Sequence, residues 1–517
     1  MTAPLEYYQS LIDQHQNTNG EVDFVNLVKE FKKVSFKNIT SLAKSVDLSK
    51  VIKTPFGDKT PQMMEKMMQK MNELEKEPVA FQACISDSPI CDAFKEKKSA
   101  HTSSGGSIIP PPIVPMAYDL LSLCKRVNRS VCYINVPFCQ TRCLFCMFYI
   151  APYKKEESKR FADALIKELQ LHADRVSQNQ KPIQALYFGG GTPTALESED
   201  LFNIITACKK YLPLANDCEI TVEGRLSYFD DKKIESTLKA GANRFSLGVQ
   251  TFDTKVRQAL GRLSKGEDLI YGLEHLASFD EAAIVIDLMY GLPNQTQDSF
   301  LQDLQIVKEL PLHGVDLYQL IMLENSPLTK ATAHENPKFA NLPSPSERAK
   351  LYELGCNFLS SNHWRQLSVS HFSKSTRERN IYNVLAKSDA DTLAFGPGAG
   401  GKIQGVSFMN TRNYEEYIEL VNAGKKPVSM MFAPHRDWKL HKQLGEMLEL
   451  GFIDLKKINS THNIDLLCLA SPVFKQWQEA GLLSISRDYI NLTLAGLFWS
   501  VTMSNLLNTY LVQNKIS

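Results

Sequence analysis

From about residue 128 the chain repeats one unit, a short β-rich run followed by a longer stretch of helical periodicity. The β-rich runs cover residues 131–136, 185–188, 219–222, 245–249, 284–289 and 315–321. Between the first two, Phe161, Leu165, Leu169 and Ala173 recur at helical spacing. Strands separated by helices pair in parallel, so six such units predict an α/β fold built on a partial (β/α)6 barrel. In parallel α/β folds ligands sit at the carboxyl ends of the strands, and the chemistry should lie on that rim. A chain of 517 residues exceeds one ordinary domain. The expected division is a mainly helical N-terminal extension over 1–105, the barrel with a substrate-side extension over 106–429, and a small α+β domain over 430–517.

The residues just past the predicted strands carry the candidate chemistry. Cys139, Cys143 and Cys146 follow the first strand at the spacing C-x3-C-x2-C. Three thiolates on one loop can ligate three irons of a 4Fe-4S cube and leave the fourth iron open to a small molecule. A structural zinc normally takes four protein ligands, and no second Cys or His pair follows at finger-like spacing. One β/α unit later comes Gly189-Gly190-Gly191-Thr192-Pro193-Thr194, whose glycines permit close backbone approach. Glu223 ends the third strand and can accept two hydrogen bonds, as from a ribose diol, or pair with Arg225. Gln250, Arg262 and Asp287 are polar groups at later strand ends and loops. Each alone reads as capping; together they form a site.

Charge and composition narrow the classes. The net charge is +1 with mixed signs, which gives no footprint for nucleic acid or for an acidic membrane surface. Residues 1–14 carry acidic and polar groups where a signal peptide needs an apolar core, and no apolar run reaches membrane-spanning length. A cytoplasmic protein without membrane insertion is expected. Eleven cysteines in such a chain fit reduced thiols and a metal centre better than a disulfide framework. In the extension, Thr60-Pro61 opens a predicted helix with Met63, Met64, Met67, Met68, Met71 and Leu74 on one stripe. The stripe reads as packing within its own small bundle, with a soft groove for a flat apolar ligand or a partner as the alternative. His101 opens a Gly/Ser/Pro-rich linker.

The cysteine spacing, with Phe145 directly before the last cysteine, resembles the signature of radical S-adenosylmethionine (SAM) enzymes. Tyr133, Pro137 and Phe138, then residues 188–194, then residues 287–293, resemble the coproporphyrinogen dehydrogenase-like branch of that superfamily. The resemblance implies a 4Fe-4S cluster on Cys139, Cys143 and Cys146 and two SAM molecules. Tyr133, Gly190 and Glu223 would contact the SAM on the cluster. Phe145, Gly191, Thr192, Gln250, Arg262 and Asp287 would hold the second, with Ile321 and Gly400 at weaker family positions. It further implies that the first SAM is reductively cleaved to a 5′-deoxyadenosyl radical, which takes hydrogen from the methyl group of the second. A flavodoxin- or ferredoxin-like electron donor would supply the electron.

Within the branch, Asp316-Leu-Tyr-Gln-Leu320, Trp364 to His371, Thr376 to Asn383 and Phe395 to Gly401 resemble the anaerobic haem-degrading methyltransferases of the ChuW/HutW type. That resemblance runs from about Ile109 to the end of the chain. It implies a haem substrate, methylated and opened to a linear tetrapyrrole with release of iron. Coproporphyrinogen dehydrogenases carry a further cysteine where this chain has Phe148, and the branch's haem chaperones a His-Asn-x-x-Tyr-Trp stretch where it reads Arg379-Asn380-Ile381-Tyr382-Asn383. Asn135 and Met147 depart from the wider family's usual His and Gly. His371 is a candidate haem ligand whose commoner role is structural, and Arg377 and Arg379 are candidates for haem propionates or solvated charges. Residues 492–498 resemble the wing and following helix of a small winged-helix-like domain, read as a lid or substrate-positioning domain rather than a DNA reader because its charge is mixed.

Overall fold

A computed structural model describes residues 5–24, 26–27, 80–97, 99, 106–323, 326–333, 339 and 341–514. The methionine stripe and His101 lie outside the described residues. The six predicted strands form as β1 (Ser130–Val136), β2 (Ile183–Gly190), β3 (Leu214–Gly224), β4 (Arg244–Gln250), β5 (Ala283–Tyr290) and β6 (Gly314–Gln319). They lie side by side in chain order, every adjacent pair parallel. Their sequences are near-continuous apolar runs because both faces are covered. Val131, Cys132, Ile134 and Val136 of β1 are all fully buried. The sixth run ends two residues early, so Ile321 lies in the loop after β6 rather than in the strand.

Helices connect the strands and start and stop on chemical signals. Lys155–His172 follows β1 and buries Phe161, Ala162, Leu165 and Leu169 along one stripe. Asp230 caps Asp231–Ala240 by accepting from the Lys233 amide, and Gly241, at φ +115°, ends that helix in the left-handed region that favours glycine. Ser344 and Glu347 form a reciprocal capping box at Pro345–Ser361, with proline at the first helical position. Each such cap contributes about 1 kcal/mol.

Beyond the predicted units the sheet extends on both sides. Strand β7 (His371–Ser373) runs antiparallel to β6. On the other side β8 (Asp391–Phe395) pairs in parallel with β1, adding a seventh parallel strand to the six expected. An antiparallel meander follows: β9 (Gly400–Ile403), β10 (Val406–Asn410) and β11 (Val428–Ala433). Glu168 binds this addition to the barrel. It accepts from the Gly396 amide (2.9 Å), the Tyr417 hydroxyl (2.7 Å) and Lys426 Nζ (2.6 Å).

The C-terminal part holds a three-stranded antiparallel sheet, with Tyr489–Leu492 between Phe452–Asp454 and Leu483–Ile485, packed among helices that include Ser471–Glu479 and Leu494–Gln513. Residues 80–97 are clamped onto these helices. Gln476 exchanges two hydrogen bonds with the Ala83 backbone (2.9 and 2.7 Å), and the indoles of Trp477 and Trp499 donate to the carbonyls of Phe81 and Ile90. This part of the extension contains a four-residue helix, Pro89–Asp92, in otherwise irregular chain, and its backbone is satisfied by the distant C-terminal side chains.

Candidate active site

The cysteine loop leaves β1 and is stitched to its neighbours by backbone. Phe138–Cys139 pairs in parallel with Ala151–Pro152, and the amides of Gly191 and Thr192 donate to the carbonyls of Val136 (2.7 Å) and Phe138 (2.8 Å). A Cβ on Gly191 would stand 2.4 Å from the Phe138 carbonyl oxygen, which is why glycine occupies that position. Gly190, at φ +99°, likewise leaves room for Asn135 Oδ1, 2.2 Å from where its Cβ would stand. The glycine triplet therefore serves chain-on-chain approach that locks the cysteine loop.

The three sulfurs have donors in place. Thr192 Oγ1 lies 3.4 Å from Cys139 Sγ, Arg225 Nη2 3.0 Å from Cys143 Sγ, and the Phe148 amide 3.3 Å from Cys146 Sγ. Burial pushes the thiols of Cys139 and Cys146 up, opposed by these same contacts. Such donors stabilise thiolate ligands. A cube spreads its thiolates over three irons, and the three cysteines of this loop offer one thiol for each.

Above the loop the strand ends supply the other groups. The rings of Tyr133 (β1), Tyr187 (β2) and Tyr382 form an aromatic wall, Tyr187 and Tyr382 stacked at 4.4 Å. Tyr187 donates to Glu223 Oε1 at 2.7 Å, and burial holds the Glu223 carboxyl up to about 6. Arg225, the alternative partner for Glu223, turns away to the cysteine loop. Asp287 stands opposite Asp316 across β5 and β6. Burial, then the charges of Asp316 and Glu223, push its carboxyl well above the ordinary range. Gln250, at φ +66° on a bulge in β4, has a buried Oε1 without a partner. Arg262 Nη1 donates to the Gly248 carbonyl at 2.5 Å and its guanidinium lies 5.9 Å from the Phe145 ring centroid, while its buried Nε is unpartnered. Arg225, Gly248 and Arg262 line a cavity of about 170 Å³.

The remaining sequence candidates fall differently. Gly400 is exposed at the start of β9, beside the turn that follows β8, and Ile321 is half-buried past β6. His371 is buried between Asp316 (Nδ1 to Oδ2, 2.9 Å) and Glu378 (Nε2 to Oε1, 3.0 Å). Each ring nitrogen faces a carboxylate. Burial alone would lower its pKa, but the two carboxylates raise it to about 9, which suits a charged structural residue better than a metal ligand. Arg377 pairs with Asp280, and Arg379 with Asp217 near the start of β3. Both lie at the amino ends of the strands, opposite the rim. Asn135 was legible only as a departure. It donates to the Pro397 carbonyl (2.6 Å) and accepts from the Tyr133 hydroxyl (3.3 Å), tying β1 to the turn after β8.

Comparison with known proteins accords with this geometry. The model of the radical SAM superfamily matches residues 133–307. An anaerobilin synthase of Escherichia coli O157:H7 is 43% identical over 393 residues, covering 75% of this chain and 86% of the relative. The chain is a radical SAM enzyme of the anaerobilin synthase family. Two further comparisons bear on the fold. An oxygen-independent coproporphyrinogen III oxidase of Helicobacter pylori strain J99 is 27% identical, over 70% of this chain and 82% of that one. The solved structure of coproporphyrinogen III oxidase (HemN) from Escherichia coli superposes with a TM-score of 0.67 at 21% identity, over 83% of this chain and all of that one, which establishes the shared fold. A 4Fe-4S cluster and SAM are the cofactors of this superfamily. The three-thiol loop and the partnerless polar atoms of Gln250 and Arg262 fit them. Among the described residues no helix is long and apolar enough to cross a membrane.

Proposed function

We propose that this protein methylates haem and opens the porphyrin ring without oxygen, giving a linear tetrapyrrole and releasing iron. The observation that carries the reading is the 43% identity to an anaerobilin synthase across 86% of that relative. The rim agrees with a flat apolar ligand: Met147 and Phe148 of the cysteine loop, Leu263 beside Arg262, and Tyr318 and Leu323 at the end of β6 and beyond are all exposed. Phe148 stands where a further cysteine marks the coproporphyrinogen dehydrogenases.

When bound, the cluster and two SAM molecules supply an electron, a 5′-deoxyadenosyl radical and a methyl group. The protein's own residues hold and shield. Cys139, Cys143 and Cys146 ligate three irons. Tyr133, Gly190 and Glu223 would bind one SAM, with the Glu223 carboxylate, which already accepts from Tyr187, available to accept from ribose hydroxyls. Phe145, Gly191, Thr192, Gln250, Arg262 and Asp287 bind the second, whose polar groups satisfy Gln250 Oε1 and Arg262 Nε; Ile321 and Gly400 border them. A flavodoxin- or ferredoxin-like protein delivers the electron, and the enzyme works in the cytoplasm.

The test is anaerobic incubation of reconstituted protein with haem, SAM and reductant, followed by absorbance and mass spectrometry. Bleaching of the Soret band with a methylated linear product and 5′-deoxyadenosine is expected. Haem that stays bound and intact would make the protein a carrier. Consumption of coproporphyrinogen alone would make it a decarboxylase.

A further inference from the structure

Strand β3 ends in Glu223-Gly224, and the structure fixes the next residue, Arg225, through several contacts. Thr194 Oγ1 accepts from the Arg225 amide (3.1 Å) and lies 3.4 Å from its carbonyl. A Cβ on Gly224 would stand 2.3 Å from Thr194 Cγ2, so glycine there lets Thr194 close on the strand end. Lys233 Nζ donates to the Thr194 carbonyl (2.8 Å) and holds the clamp. From this anchored backbone the guanidinium crosses to the cysteine loop. Nη1 donates to Thr141 Oγ1 (2.8 Å), and Nη2 donates to the Thr141 carbonyl (3.3 Å) and to Cys143 Sγ (3.0 Å).

We propose that Arg225 is a positioning residue that sets the reduction potential of the cluster through Cys143, with Thr141 aiming it. Reduction adds negative charge to the cluster and its thiolates. A cation and an N–H donor fixed on one of those sulfurs stabilise the reduced form more than the oxidised one, and so raise the potential. The Arg225 side chain borders the 170 Å³ cavity, so truncation enlarges an existing space rather than opening a packed core. The inference rests on the cluster and is independent of haem as substrate.

The experiment is an anaerobic redox titration of the reconstituted full-length protein, without haem, monitored by electron paramagnetic resonance, with iron and sulfide measured on each sample. Arg225→Met is expected to keep its iron and to be harder to reduce by at least tenfold in the equilibrium, about 59 mV for one electron. Arg225→Lys, which keeps the charge and loses the fork, should shift less, and Thr141→Val should shift in the same direction. An Arg225→Met protein with full iron content and an unchanged midpoint overturns the proposal. If that variant fails to hold iron, the other two decide: lowered midpoints support the proposal, and unchanged midpoints in both overturn it. Wild-type protein without any iron-sulfur signal would overturn the cluster itself, whatever the fate of the haem reading.

Discussion

Glu168 is fully buried and Asp287 is half-buried on its strand, and their surroundings are opposite. Glu168 accepts from an amide, a tyrosine and a lysine whose side chain is 4% exposed. Asp287 faces Asp316 and Glu223, close to a glutamine oxygen and an arginine nitrogen that have no partner. A buried charge costs free energy unless it is paired, so the first arrangement holds the fold together, while the second is the kind of unpaired polar cluster that a bound ligand would satisfy.

The sharpest way to break the comparison is at the cysteines. Cys143→Ala should lose the cluster's iron and all SAM cleavage while the fold survives, read by iron analysis and circular dichroism. Next in size, Glu168→Ala strands Lys426 in the interior and should cost about 3–5 kcal/mol. Denaturant unfolding measures it, and a loss under 1 kcal/mol would show that the cluster of bonds at Glu168 is not structural. Asp287→Asn should do the reverse, leaving stability equal or higher while weakening SAM binding at least tenfold, about 1.4 kcal/mol by calorimetry.

The pH dependence supplies two further tests. Glu223 keeps its proton in the folded protein up to about 6, above its ordinary 4.5, so between these values the folded state binds more protons than the unfolded chain. Stability therefore falls as pH rises through that window, and Glu223→Gln should flatten it. His371 is raised from 6.5 to about 9, so its contribution is fully present below 6.5 and lost as pH rises through 9. His371→Gln should remove that alkaline decline, and unfolding midpoints across a pH series check both.

The features legible in the sequence were those carried by local pattern. The six parallel strands showed as apolar runs at regular intervals, and the three-cysteine loop by its spacing. What escaped was non-local. Asp391–Phe395 pairs with β1 across roughly 260 residues of chain, and nothing in its five residues says which edge they join. His371 looked like a candidate ligand because its partners come from β6 and from a loop seven residues on. Arg225 was visible only as a neighbour of Glu223, and its target lies 82 positions earlier. Residues 80–97 are ordered by tryptophans some 400 positions away.

Transfer of a methyl group from SAM on this rim to haem as the ring opens is tested directly by anaerobic turnover with SAM deuterated in its methyl group, read by mass spectrometry. Deuterium is expected in a linear, iron-free tetrapyrrole and also in 5′-deoxyadenosine. Deuterium absent from the tetrapyrrole while haem is consumed, or haem left intact while SAM is cleaved, would contradict that transfer.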